Sequence, residues 1–234
     1  MKTRSLRIGF FLYLITYVMF ILSENNSIAN NFLSEIRDVS IHQDRLRFRK
    51  NLERLGEIMA YEISKTLEFE ESEIRTPLQN TKVNTIQNHP ILISILRAAL
   101  PFYQGFSNFF DHASSGFIGA YRAKETSSLH EVNIDLDYLA TPALDGKELI
   151  LIDPMLATGK SFIKSVEALL QNGTPKMIHL ASIIAAPEGI NYIKESMSIP
   201  FKIWTCALDE KLNSKSYIIP GLGDAGDLAF GEKL

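Results

Sequence analysis

Cysteine is almost missing: Cys206 is the only one in 234 residues. That excludes an internal disulfide and any multi-cysteine zinc site. Cys206 stands in the apolar run "IWTCALD", so it is expected as a small buried hydrophobe and not as a nucleophile. The five histidines (His42, His89, His112, His130, His179) show no ligand spacing such as H-x-x-x-H, which leaves no histidine metal centre legible. Excess charge is also lacking. The formal net charge is −3, the signs are mixed along most of the chain, and no basic stripe with interleaved aromatics marks a nucleic-acid face. Internal repeats and low-complexity tracts do not occur. A chain of this length with 46% hydrophobic residues can bury roughly 70% of its unfolded surface, and the length favours one domain.

The N-terminus stands apart. "MKTRSLR" precedes a run of 15 apolar or uncharged residues, "IGFFLYLITYVMFIL", which is short of the roughly 20 that a membrane span needs. A basic start and an apolar stretch of this size resemble a secretory signal, but "SENNSIANNF" offers no clean A-x-A cleavage site. The alternative is that Met19 begins the protein, with "MFIL" as a first strand and residues 1–18 as extra translated sequence. Residues 19–234 are then expected to form a single domain.

Residues 31–67 show apolar side chains near helical spacing (Leu46, Phe48, Leu52, Leu55, Ile58, Met59, Ile63) with charges mostly opposite, which predicts amphipathic helix. "ESEIRTPLQNTKVN" is polar and reads as an excursion at one edge. From His89 the pattern becomes strand, loop, helix. "PILISIL" (90–96), "GFIGAY" (116–121), "ELILI" (148–152), "MIHLASIIA" (177–185) and "KIWTCAL" (202–208) are short, apolar and rich in isoleucine. Near-continuous hydrophobicity fits strands covered on both faces, hence a parallel sheet. The intervening helices include Ser161–Leu170, closed by Asn172-Gly173, and "EGINYIKES". The fold class is therefore α/β, an open and mainly parallel twisted sheet with flanking helices.

Ligands of such sheets bind beyond the carboxyl ends of the strands. Arg97 follows "ILISIL", Arg122 follows "GFIGAY", and Asp153 with the loop Pro154, Met155, Leu156, Ala157, Thr158, Gly159, Lys160, Ser161 follows "ELILI". Gly159-Lys160-Ser161 suggests a nucleoside-triphosphate loop, but the position that needs the first glycine of G-x-x-x-x-G-K-[ST] holds Pro154. Proline is fixed in φ and has no N–H to offer a phosphate. The loop instead fits a phosphate monoester. Gly159 allows a turn that points N–H groups inward, the following helix adds its positive end, and Thr158 and Ser161 add hydroxyls. Asp153 is then placed for ribose hydroxyls, and two arginines on neighbouring strand ends suit pyrophosphate. Phosphate, ribose and pyrophosphate together describe phosphoribosyl pyrophosphate.

At these residues the chain resembles the uracil phosphoribosyltransferases. "LIDPMLATGKS" is similar to their phosphoribosyl-pyrophosphate motif and "YIIPGLGDAGD" to their uracil-binding segment; "ILRAAL", "AYRAKET" and "IIAAPEGI" fit as well. The resemblance spans about residues 19–234. It implies a phosphoribosyltransferase fold with a small hood formed by terminal segments, and transfer of ribose 5-phosphate to N1 of uracil, giving UMP and pyrophosphate. It implies that Asp153 to Ser161 hold the ribose 5-phosphate end and that Arg97 and Arg122 contact pyrophosphate. Ile218, Gly223 and Ala225 would present main-chain groups to uracil, with Asp224 between the two substrates. Asp153, Asp224 and Arg122 are the residues it implies for catalysis. Mg²⁺ would arrive with phosphoribosyl pyrophosphate and not on a protein metal site. The implied assembly is a homodimer or homotetramer, and the implied location is the cytoplasm, without membrane or nucleic-acid partners.

Three departures fall in the phosphoribosyl-pyrophosphate half. Ala99 replaces the glycine of L-R-A-G-L, Lys160 replaces a usual glycine, and Ala123-Lys124 alters the surroundings of Arg122. They leave open a phosphoribosyltransferase for another nucleobase, or a regulator that binds RNA or a nucleotide without turnover. Ala123 to Asp145 is expected to contain a flexible segment that closes over the site.

Overall fold

The computed structural model describes residues 19–122 and 134–233, with the backbone alone at 120–122 and 134–137. The expectations for residues 1–18 and for Ala123-Lys124 lie outside the described residues. No helix among the described residues is long and apolar enough to cross a membrane.

The main sheet contains β1 (Met19–Ile21), β4 (Ile91–Leu96), β5 (Ser115–Arg122), β6 (Ile134–Ala140), β7 (Glu148–Ile152), the short β8 (Met155–Leu156), β9 (Met177–Ala185) and β10 (Phe201–Leu208). Their order is β1-β10-β9-β7-β4-β5-β6, with β8 beside β9. Every pairing in this sheet is parallel except β5 with β6. The strand read as "MFIL" is present, and Phe20 lies opposite Trp204. Between Glu148 and Ala185 the two long strands match the sequence reading residue for residue.

Side chains alternate between two cores. In β7, Ile150 and Ile152 join the core under α1 (Ile28–Arg37), α2 (Arg45–Ser64), α3 (Leu100–Phe109) and α6 (Ala225–Phe230). Leu149 and Leu151 join the other, under α4 (Lys160–Leu169) and α5 (Pro187–Ser196). A strand covered on both faces has no position for a polar side chain to reach water, hence its unbroken apolar run. Cys206 is fully buried, and burial pushes its thiol pKa up. His179 is buried too. Its Nδ1 accepts the indole N–H of Trp204 at 3.1 Å, so Nε2 carries the proton toward Glu148 at 3.0 Å.

Two strand-bearing stretches have no counterpart in the sequence reading. The polar stretch after Glu68 is regular: β2 (Phe69–Arg75) and β3 (Asn80–Ile86) form a separate antiparallel ribbon, mostly exposed on both faces and therefore without an apolar period to read. Of the span Ala123 to Asp145 expected to contain a flexible segment, residues 123–133 lie outside the described residues, while Ile134–Ala140 form β6, which pairs along β5 with an irregularity at Gly119/Ala120. Phe102, Phe106 and Phe110 are buried in the core, whereas Phe109 is exposed.

Helix α1 is clasped to α2 by Glu35, which accepts from Arg47 at 2.6 and 2.8 Å and from Asn51 at 2.6 Å. The Arg47 hydrogen bond, then that of Asn51, lower its pKa from 4.5 to about 2. A folded pKa below the unfolded one stabilises above the unfolded value and is lost as pH falls through the folded one. The contribution should be complete above pH 4.5 and vanish toward about 2. Urea midpoints compared at about pH 5 and about pH 3 should fall less for Glu35→Gln than for the parent chain.

Candidate active site

The chain runs from β4 through β5 and β6 on one side, then crosses to β7 on the other. That reversal leaves a crevice beyond the carboxyl ends of β4 and β7. Ser94 lies opposite Ile152, so Arg97 and Asp153 both stand just past the adjoining strand ends. Leu96 lies opposite Gly119, and Arg122 ends β5.

The loop after β7 is built by its own backbone. Asp153 Oδ1 accepts from Met155 N at 3.1 Å, turning the chain immediately. Pro154, lacking an N–H, contributes its carbonyl, which accepts from Ile183 N and Ile184 N at 3.0 and 3.1 Å. Leu156 is buried, and its carbonyl accepts from Ala186 N at 2.9 Å. Thr158 Oγ1 receives Lys160 N at 3.4 Å. Gly159 caps α4 with φ +76° and no side-chain cap, so the turn read from Gly159 is present. A Cβ on Gly159 would fall 2.7 Å from Gly189 O, and one on Gly189 only 2.3 Å from Ala157 O. Gly189 on α5 therefore props the loop from behind. Lys160 and Ser161 occupy the first turn of α4, half-buried. Ala99 is buried at φ −74°, a conformation any residue adopts, so that departure strains no backbone.

The C-terminal segment crosses the same edge. Ile218 lies in a small ribbon, β11 (Lys211–Leu212) with β12 (Ile218–Ile219). A cis Ile219-Pro220 bond leads into Gly221. Gly221 is held at both backbone groups: its N–H donates to Asp209 Oδ2 at 2.8 Å, and its carbonyl accepts from Arg37 Nη1 at 3.1 Å. Arg37 and Asp209 are themselves bidentate, at 2.7 and 2.9 Å. Further on, Asp224 Oδ1 caps α6 through Gly226 N at 2.9 Å and Asp227 N at 3.0 Å. Arg97, which follows a cis Leu96-Arg97 bond, donates through Nη2 to Asp227 Oδ1 at 3.0 Å and Gly231 O at 2.6 Å. Its Nε is buried with no partner among the described residues. The segment is thus tied at Gly221 to the end of β10 and at Asp227 and Gly231 to the end of β4. Gly223 and Asp224, both exposed, bridge the strand ends between, and Ala225 is buried below them.

The structure therefore brings Arg97, Asp153–Ser161 and Ile218–Ala225 to one edge. Arg122 is there by backbone position. Sequence reading missed Arg37, Asp209, Asp227 and Gly189. Asp209 had a signal: like Asp153, it directly follows an apolar strand. The remaining three had none, since each acts on residues far along the chain. Such charged hydrogen bonds contribute about 1.5–3 kcal/mol each. The exposed pairs Lys50–Glu53 and Lys82–Glu71 contribute only about 0–1 kcal/mol. A separate polar cavity of about 110 Å³, lined by Glu68, Asp145, Glu148 and Lys176 among others, lies at the opposite, amino-terminal ends of the strands.

A doubly covered parallel sheet with an acid-led, glycine-capped loop at its switch point defines an α/β protein whose ligand site lies in the crevice beyond the strand ends. Comparison with known proteins narrows this. The family model for uracil phosphoribosyltransferase matches residues 23–232. The uracil phosphoribosyltransferase of Porphyromonas gingivalis is 47% identical over 213 residues, 91% of this chain and 98% of that protein. That of Pyrococcus furiosus is 38% identical over 212 residues, 89% and 88% of the two chains. The solved AQ2163 protein of Aquifex aeolicus matches with a TM-score of 0.80 and 33% identity, covering 91% of this chain and 98% of that one. This chain belongs to the uracil phosphoribosyltransferase family.

Proposed function

We propose that the chain is a pyrimidine-salvage enzyme that transfers ribose 5-phosphate from phosphoribosyl pyrophosphate to N1 of uracil, releasing pyrophosphate. The observation that carries this reading is the C-terminal segment tied across the strand ends from β10 to β4. It sets P-G-L-G-D-A-G-D beside the D-P-M-L-A-T-G-K-S loop. The 5-phosphate is bound by Ala157 to Ser161 at the start of α4, and the ribose hydroxyls by Asp153. Uracil is read along its O2, N3–H and O4 edge by main-chain groups of Ile218, Gly223 and Ala225. Cytosine reverses the pattern at N3 and C4, leaving buried groups unpaired. Arg97 supports the pyrophosphate assignment by its buried Nε, which has no partner among the described residues, and Arg122 ends the neighbouring strand.

In the reaction the C1′–O bond to pyrophosphate breaks, its electrons leave with pyrophosphate, and the N1–C1′ bond forms as N1 loses its proton. Asp224 is the acceptor we assign to that proton. Cationic charge at C1′ is stabilised by the carboxylates of Asp153 and Asp224, and the leaving group by the two arginines. Mg²⁺ binds through hard oxygens and keeps waters and substrate phosphates as ligands; Asp153 and Asp224 are the oxygen donors here that would face it. When bound, it supplies charge neutralisation of pyrophosphate. No covalent protein intermediate is needed. Residues 19–234 act as one domain, and function in the cytoplasm as a homodimer or homotetramer fits soluble nucleotide substrates. N-terminal sequencing of the natural product that begins beyond about residue 23 would overturn the location, because it would mark a removed secretory signal.

The test incubates the purified chain with phosphoribosyl pyrophosphate, Mg²⁺ and labelled uracil, and separates UMP by chromatography. UMP should form with uracil and not with cytosine, xanthine or hypoxanthine. A folded protein that binds phosphoribosyl pyrophosphate but forms no UMP would overturn the reading.

A further inference from the structure

We propose that Arg37 and Asp209 are positioning residues for the nucleobase: they fix the Gly221 turn and so set the main-chain groups that read uracil. The proposal rests on the assignment of Ile218–Ala225 to the base. Gly221 stands between Ile218 and Gly223, and both of its backbone groups are taken, one by each member of the pair. The three groups form a closed ring of four hydrogen bonds, all between 2.7 and 3.1 Å.

The ring is anchored to rigid elements. Asp209 is buried, and its own N–H donates to Ala185 O at the end of β9 at 2.9 Å. Arg37 is the last residue of α1, whose Ala29, Leu33 and Ile36 are buried in the core. The chain on the near side of the loop is held by Glu210 N donating to Ile219 O at 3.0 Å. The base-reading groups are therefore referenced to the sheet and to an N-terminal helix through one guanidinium. Arg37 Nη1 donates to both Asp209 Oδ2 and Gly221 O while Nη2 donates to Asp209 Oδ1, so one planar group fixes the carboxylate and the carbonyl in a set geometry. A lysine has donors for both but presents them from one point on a flexible stem, and the bidentate, planar pairing is lost. Base recognition by main chain has no rotamer to adjust, so its accuracy comes from what holds the backbone, and a supporting pair left loose degrades the site it supports.

The test is steady-state kinetics on Arg37→Lys and Asp209→Asn, with KM for uracil, KM for phosphoribosyl pyrophosphate, kcat and Tm measured on each. Arg47→Lys serves as the comparison, since it weakens a bidentate pair with Glu35 that clasps the same helix α1 to α2 without touching Gly221, and so reports what loosening α1 alone does. Gly223→Ala tests the base assignment itself: its Cβ meets Leu228 Cδ1 at an ordinary 3.7 Å, and the φ of +96°, at which an L side chain is strained, makes the variant shift the loop's own main chain.

Arg37→Lys and Asp209→Asn should each raise KM for uracil about tenfold or more, within the roughly 10²-fold that a misplacement of about 1 Å can cost. KM for phosphoribosyl pyrophosphate should stay near the parent value, and Arg47→Lys should move neither. An unchanged KM for uracil in folded Arg37→Lys and Asp209→Asn, with Gly223→Ala raising it, would overturn the positioning role and leave the base loop standing. Equal rises in both KM values, matched by Arg47→Lys at similar Tm, would reduce the pair to a structural one. If Gly223→Ala raises KM for phosphoribosyl pyrophosphate alone, the base assignment fails and the proposal with it.

Discussion

Asp224→Asn is expected to lower kcat by about 10²–10⁴-fold, the range that a positioned proton acceptor supplies. The substitution separates two roles of one side chain. Asp224 Oδ1 caps α6 through the N–H groups of Gly226 and Asp227, and asparagine caps nearly as well as aspartate. Tm should therefore hardly move, while the exposed carboxylate that faces the crevice loses its charge and basicity. Asp224→Ala removes the cap as well and should cost about 1 kcal/mol of stability in addition. Rate measurements at saturating substrate, with thermal unfolding of both variants, check the pair of outcomes. A kcat that follows Tm across the two variants would assign Asp224 to capping alone.

Gly189→Ala should raise KM for phosphoribosyl pyrophosphate by about 10²-fold, because the phosphate loop has nowhere to stay. The new methyl would fall 2.3 Å from Ala157 O and 2.6 Å from Leu156 Cδ2. The first of these is backbone, in the middle of the loop, pinned by Ala186 N on Leu156 O. Restoring an ordinary separation of about 3.5 Å requires a shift on the order of 1 Å. Overpacking of this kind also costs about 1–3 kcal/mol, so Tm should fall together with affinity. KM for uracil should change less, since Gly221 is held by Arg37 and Asp209, and α5 touches the base segment indirectly, through Glu188 accepting Leu212 N at 2.9 Å on the strand beside Ile218. Equilibrium binding of phosphoribosyl pyrophosphate to the variant gives the direct readout. Binding at the parent affinity would mean that α5 tilts away and that the loop is not constrained by Gly189.

The phosphate loop and the central strands were legible because their signals are local. A doubly buried strand must be apolar throughout, so "ELILI" and "MIHLASIIA" announce themselves, and Asp153 marks where one of them ends. The C-terminal segment was legible through the resemblance of "YIIPGLGDAGD" to the family's uracil-binding segment, and not through its glycine spacing, which a simple turn would also show. What was not legible depends on partners remote in sequence. Arg37 and Asp209 are 172 residues apart, and nothing beside Arg37 distinguishes it from the other arginines of the first helices. Asp227 resembles any acid in a first helical turn until Arg97 is placed against it. Gly189 looks like an ordinary helix residue until the loop behind it is built. The β2–β3 ribbon escaped because it buries neither face, and β6 because its strand character comes from pairing with β5 and not from an apolar run.

The position of β1 in the sheet bears on how the protein is made. Among the described residues it pairs with β10 alone, where Met19 lies opposite Ile203. A ribosome therefore releases β1 long before its neighbour exists. The nascent chain carries an apolar edge strand without a ladder through most of its synthesis, a condition that favours association with other chains. Closure of that edge has to await the last part of the chain, which makes early chain termination more hazardous to solubility than its small loss of mass suggests.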